Sequence, residues 1–239
     1  IVNCDHDGNG FIVALARADG HEIWRIERPN HTRSYCAPII RELAGKTQMV
    51  LSGSKCVTSY DPNTGKLIWM MDGPTEQFVA SLVYNDNAGL LFLTAGFPEH
   101  HLLGIKPDGT GNVTDTHIAW RTTKGAAYVP SPIAVGDWFM VVSDSGFANC
   151  LEAKTGRLAW EERLREHHAS MVTAEGKVWM INDFGSTHTV KPGEKYDELA
   201  TSELGEKVFA SPAMSDGQIF VRGYKSLFCF GERKGLAAR

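Results

Sequence analysis

Apolar residues in this chain come in short runs, each opened by a turn of Gly, Asp or Asn. Met49-Val50-Leu51 follows Gly45-Lys46, and Leu90-Leu91-Phe92-Leu93 follows Asn87-Ala88-Gly89. Trp138-Phe139-Met140-Val141-Val142 follows Gly136-Asp137, Val178-Trp179-Met180-Ile181 follows Glu175-Gly176-Lys177, and Gln218-Ile219-Phe220-Val221 follows Asp216-Gly217. Apolar runs of this length between turn residues predict β-strands. No stretch sustains a 3.6-residue period, so the chain reads as all-β.

Two phrases recur in step. The first ends in Trp: Ala-Leu-Ala-Arg-Ala-Asp-Gly-His-Glu-Ile-Trp at 14–24, Ser-Tyr-Asp-Pro-Asn-Thr-Gly-Lys-Leu-Ile-Trp at 59–69, and Cys-Leu-Glu-Ala-Lys-Thr-Gly-Arg-Leu-Ala-Trp at 150–160. A stretched copy runs from Gly104 to Trp120, with six additional residues that we read as a lengthened hairpin turn. The second phrase is Ala37-Pro38, Ser81-Leu82, Ser131-Pro132, Ser170-Met171 and Ser211-Pro212, spaced 44, 50, 39 and 41 residues. The Trp-to-Trp spacings of 45, 51 and 40 share that period. Four short strands per 40 to 50 residues match the blade of a β-propeller, in which radial repetition leaves only short edges.

This predicts one propeller domain over 1–239, with complete blades at about 37–72, 81–121, 131–163 and 170–204. Residues 1–28 read as a blade lacking its inner strand, and 211–232 as one lacking its outer strand. The opening Ile1-Val2-Asn3-Cys4 already has strand character, so we expect a missing upstream segment and a full ring of seven or eight blades.

The repeat acts as an internal alignment. Ten positions before each Trp stands a small residue, Ala14, Ser59 or Cys150, with Gly104 in the stretched copy and Cys229 in the last unit. Small size is all these share, so Cys150 and Cys229 are expected to be packing residues where strands approach closely. Trp24, Trp69, Trp120 and Trp160 occupy one structural slot and are expected to dock blade against blade. The unit at 170–204 has Leu199 and no Trp in that region, so its seam should be weaker.

Composition narrows the function. The 239 residues are 43% hydrophobic with a net charge of −4 and no long Lys/Arg block, which excludes a dedicated nucleic-acid binder. No apolar run reaches the roughly 18 residues of a membrane span. The five cysteines, Cys4, Cys36, Cys56, Cys150 and Cys229, are odd in number and form no Cys-x-x-Cys, against a disulfide framework or zinc knuckle.

The phrase Leu-Glu-Ala-Lys-Thr-Gly-Arg-Leu-Ala-Trp resembles the repeat of PQQ-like (quinoprotein alcohol dehydrogenase-like) β-propellers, and the resemblance extends over almost the whole chain. That superfamily contains eight-bladed dehydrogenases with pyrroloquinoline quinone and calcium. It also contains cofactor-free scaffolds similar to the lipoprotein of the outer-membrane assembly machinery. The resemblance implies a bacterial protein that is periplasmic or otherwise exported.

Catalytic residues do not stand out. Asp144, Asp183 and Asp216 are candidate carboxylates for a quinone and calcium site, but Asp-Gly and Asp-x-Gly at strand ends are turn residues. There is no Cys-Cys pair and no Gly-x-Ser-x-Gly, and the Gly-rich 108–112 segment opens no helix. The expected function is therefore a non-catalytic binding or scaffolding propeller without cofactor or metal. Its alternative is a quinoprotein-type oxidoreductase using pyrroloquinoline quinone and calcium, with part of the site upstream. Tyr35, Phe78, Tyr128, His167 or His168, and Phe209 fall at successive loops leading into the channel, where they would form an aromatic, His-lined mouth. Its occupant is expected to be a protein or peptide, with a small molecule or glycan as weaker options.

Overall fold

The computed structural model describes residues 1–231, so position 232, with which the last partial blade is expected to end, lies outside the described residues. Every element among them is a strand, arranged as six sheets in chain order that are antiparallel apart from one short parallel pairing. Blade 1 comprises β1 (Val2–Cys4), β2 (Gly10–Leu15) and β3 (Glu22–Arg28). Blade 2 holds β4 (Ile39–Leu43), β5 (Lys46–Gly53), β6 (Cys56–Tyr60) and β7 (Leu67–Asp72). Blade 3 is β8 (Val83–Asn85), β9 (Leu90–Ala95), β10 (His101–Ile105) and β12 (Ile118–Thr122), with β11 (Gly111–Asn112) in the loop between its last two strands. Blade 4 is β13 (Ile133–Val135), β14 (Trp138–Val142), β15 (Phe147–Glu152) and β16 (Leu158–Arg163). Blade 5 is β17 (Val172–Ala174), β18 (Lys177–Ile181), β19 (Ser186–Lys191) and β20 (Asp197–Glu203). Blade 6 is β21 (Ala213–Ser215), β22 (Gln218–Arg222) and β23 (Leu227–Gly231).

The tryptophan phrase becomes one local geometry. Each Trp pairs across the sheet with the small residue ten positions earlier: Ala14 with Trp24, Ser59 with Trp69, Cys150 with Trp160. Gly104 pairs with Trp120 in the stretched copy. A β-bulge follows the small residue in every case, which turns the strand end and re-aims the ring. The small residue is needed because the indole of its own blade lies across it: a Cβ on Gly104 would stand 2.5 Å from Trp120 Nε1.

From that position the indole reaches the next blade. Trp24 Nε1 donates to the Pro62 carbonyl at 3.1 Å, Trp120 Nε1 to the Ala153 carbonyl at 2.9 Å, and Trp160 Nε1 to the Gly193 carbonyl at 3.0 Å. All three acceptors lie in the turn between the third and fourth strands of the following blade. Trp69 makes the same link through an intermediary, donating to Gln48 Oε1 at 2.9 Å while Gln48 Nε2 donates to the Pro107 carbonyl at 3.0 Å. Glycines of the receiving turns leave room for the ring, since a Cβ on Gly156 would stand 2.5 Å from Trp120.

Nearer the inner strands, the second phrase forms a ladder. The Ala37 N–H donates to Ser81 Oγ at 3.2 Å, Ser81 N–H to Ser131 Oγ at 3.0 Å, Ser131 N–H to Ser170 Oγ at 3.0 Å, and Ser170 N–H to Ser211 Oγ at 2.9 Å. The recurring Ser is thus a link between blades as well as a strand starter.

The six-residue insertion differs from its expected form as a lengthened turn. It carries β11 back onto the outer edge of blade 2, where it runs parallel to β7 with Gly111 beside Trp69. Val113 is buried against Trp69 in the blade 2 core, and its N–H donates to the Met70 carbonyl at 2.8 Å. Covered in this way, Trp69 is fully buried, and the amide of Gln48 relays its hydrogen bond.

Two histidines are buried, His101 and His167. Burial holds both below the usual histidine range, for His101 with the added repulsion of the Arg121 guanidinium. His167 Nδ1 lies 2.7 Å from the Arg165 carbonyl, and its Nε2 is buried with no partner among the described residues.

Three outcomes follow from these contacts. Gly156 and Gly176 share a φ of +70°, but a Cβ at Gly176 meets nothing within 4 Å. In urea denaturation, Gly176→Ala should cost about 1 kcal/mol for its left-handed backbone, and Gly156→Ala about 2 kcal/mol more for displacing the indole. Ser131→Ala leaves the Ser81 N–H without its acceptor and should destabilise by about 1–2 kcal/mol in the same assay. Because His101 and His167 bind protons more readily unfolded than folded, stability should fall as pH drops below about 6.5. Thermal melts between pH 7.5 and 5 should show that fall, and it should be smaller in His167→Gln; a rise would contradict the burial argument.

Candidate functional site

In blades 2 to 6, the turn between the second and third strands and the segment leading into the first strand lie at the same end of the sheet. The antiparallel order requires this, and hydrogen bonds tie the two together. Leu164 N–H donates to the Gly146 carbonyl, Asp183 N–H to the Glu166 carbonyl, and Tyr224 N–H to the Lys207 carbonyl, at 2.8, 2.9 and 2.8 Å. This end carries all six of the expected mouth residues.

Carboxylates fix these loops. Asp144 accepts the backbone N–H of Tyr128 at 2.7 Å and of Val129 at 3.0 Å. Asp183 accepts the His168 N–H at 2.9 Å and lies 2.7 Å from His168 Nδ1. Glu206 reverses the arrangement, standing in the lead-in segment and accepting N–H groups from Lys225 and Ser226 in the turn at 2.8 and 3.1 Å. Between blades 1 and 2 the equivalent work is done by a buried pair: Arg28 Nε donates to Asp5 Oδ1 at 2.9 Å, and its Nη2 to the Gly53 carbonyl at 2.8 Å. Ser34 Oγ completes this cluster by donating to Asp5 Oδ2 at 2.6 Å. Hydrogen bonds to ionised groups are the stronger kind, so these loops are held rigidly.

The six mouth residues separate by exposure. Tyr35 is 60% exposed and Phe209 48%, and the exposed His168 meets Phe209 edge-on at 5.6 Å between centroids. Tyr128 is half-buried, its hydroxyl donating to Gln77 Oε1 at 3.1 Å, and burial raises its phenol above the usual range. Phe78 and His167 are corrections to the expected ring: both are fully buried. Alternation explains this, since neighbours on an extended segment point to opposite sides. Phe78 joins the core with Trp69 and Leu91, while its carbonyl accepts the Tyr35 N–H at 3.0 Å.

Three exposed aromatics at this end escaped sequence reasoning: Phe97, Phe184 and Tyr224. All lie in the turn between second and third strands, and Arg165 lies over the Phe184 ring at 3.7 Å. Aligning those turns by the repeat, as Gly-Phe-Pro, Asp-Phe-Gly and Gly-Tyr-Lys, would have revealed them. With Tyr35 and Phe209 they put five exposed aromatics at one end of the blades.

The residues do not fit a quinone and calcium site. Asp144 and Asp183 already accept two donors each from the chain, in different blades, and Asp216 lies in a turn at the opposite end of its sheet. Among the described residues no three His, Cys, Asp or Glu side chains converge on a common point. No helix among them is long and apolar enough to cross a membrane.

Comparison with known proteins agrees with this architecture. BamB of Shewanella oneidensis, an outer membrane protein assembly factor, is 19% identical over 234 residues, which cover 94% of this chain and 57% of that protein. The corresponding factor of Burkholderia pseudomallei is 26% identical over 113 residues, 46% of this chain and 29% of that protein. The crystal structure of BamB from Moraxella catarrhalis matches with a TM-score of 0.65 at 16% identity, covering 81% of this chain and 57% of that one. This likeness shows the fold, a β-propeller. The chain spans little more than half the length of these relatives at most, 57%. A family profile described as outer membrane protein assembly factor BamB matches residues 4–97 and 108–190, most of the chain, and the chain belongs to that family.

Proposed function

We propose that this chain is a non-catalytic scaffolding propeller that serves outer-membrane protein assembly from the periplasm, and that it holds its protein partner at the end carrying the exposed aromatics. Family membership supports the process, and the relatives' role as assembly factors supports a protein partner. The observation that carries the choice of surface is the concentration of Tyr35, Phe97, Phe184, Phe209 and Tyr224 at one end of the blades, with Tyr224 71% exposed.

The physics favours recognition over catalysis. Asp144, Asp183 and Glu206 at this end are engaged in holding backbone, which takes them out of consideration as general bases. Rigid loops carrying Tyr and Phe lose little conformational entropy on binding, and aromatic anchors on a preorganised surface dominate the energetics of many interfaces. His168 belongs to the same surface through its contact with Phe209, and Tyr128 supports it from below. In this reading the six sheets act as one propeller domain.

Replacing Tyr35, Phe184, Phe209 and Tyr224 together by Ala should weaken capture of assembly components from detergent-solubilised outer membranes about 100-fold or more. Leu67→Ala with Leu158→Ala, both exposed on outer strands, should leave capture unchanged. Equal capture by the aromatic variant, with an unaltered β circular dichroism spectrum, would remove this surface as the docking site.

A further inference from the structure

The seam between blades 5 and 6 lacks the indole that the preceding seams carry. Blade 5 keeps the register and the bulge of the repeat, Thr189 pairing with Ala200 and the bulge falling between Thr189 and Val190. The tryptophan slot, however, holds Ala200. At the preceding seam the same slot holds Trp160, packed edge-on to Tyr196 at 5.1 Å and bonded to the Gly193 carbonyl. Where its counterpart would lie there is a groove of about 280 Å³.

Its walls suit an aromatic ring. Trp179 and Ile181 line it from blade 5, and Ile219, Val221 and Phe230 from blade 6. An apolar cavity of about 150 Å³ is enough for benzene. Thr187, Thr189, Ser202 and Glu203 add oxygen atoms that could accept from an indole N–H, as turn carbonyls do at other seams.

The structure also shows how such a group could be delivered. On blade 2, the short strand β11 adds to the outer edge of β7 and buries Val113 against Trp69. The outer strand of blade 5, β20, is exposed along all seven residues, and nothing pairs with its outer edge among the described residues. We propose that the blade 5–blade 6 groove receives an indole-sized aromatic side chain from an extended segment of a protein partner, laid along β20 as β11 lies along β7. None of the five exposed aromatics lines this groove, and the inference does not depend on where the assembly partner docks.

The test uses N-acetyl-tryptophanamide as the probe, followed by amide chemical shifts. Saturable binding at millimolar concentration or tighter is expected, with shifts centred on Ile219 and Val221. N-acetyl-leucinamide should bind at least 10-fold more weakly. Ala200→Trp should fill the groove, raise the melting temperature and abolish binding, and Phe230→Ala should weaken binding without filling the site. An extended hexapeptide with a central Trp should bind at least 10-fold more tightly than the amide and shift the β20 amides. Equal binding of the leucine probe, binding retained in Ala200→Trp, or a peptide no tighter than the amide would each overturn the proposal.

Discussion

From blade 2 to blade 5 each blade of this protein is held to the next by hydrogen bonds at two radii, and both run in the same direction along the chain. Near the inner strands a backbone N–H donates to the serine hydroxyl of the following blade, from Ala37 through to Ser211. Further out an indole N–H donates to a turn carbonyl of the following blade. Sheets packed face to face by apolar contact alone could slide. Two directional bonds at different radii fix both spacing and rotation, and this lets 40-residue units accumulate into a ring.

That constraint explains what could be read from the sequence. The serine and tryptophan phrases share a period because both are inter-blade contacts, and a contact made once per blade must recur once per blade. The small residue ten positions before each Trp was legible as a packing position. Its partner was not, because only the bulge after Ala14, Ser59, Gly104 and Cys150 shows that the ring of the same blade lies over it.

Features that occur once were illegible for the complementary reason. The insertion in blade 3 reads as a longer turn until its residues are seen beside β7, because a parallel pairing of two residues leaves no periodic trace. The lead-in segments are irregular, so the sequence located Tyr35, Phe78, Tyr128 and His167 at one end without showing which side of the backbone each occupies. Tyr35 emerged facing outward, and Phe78 and His167 faced the core. The exposed aromatics at Phe97, Phe184 and Tyr224 lay in turns that vary in length between blades, which hid their common place.

The central claim is that stability is passed from blade to blade through these two bonds and weakens where one is missing. Blade 5 retains its serine link to blade 6 but lacks the indole link. Native-state hydrogen exchange resolved by strand tests this most directly. The account predicts that the amides of β21–β23 open at a lower free energy than those of β8–β16, and that they open as one unit. Protection in blade 6 equal to that in blades 3 and 4 would contradict it.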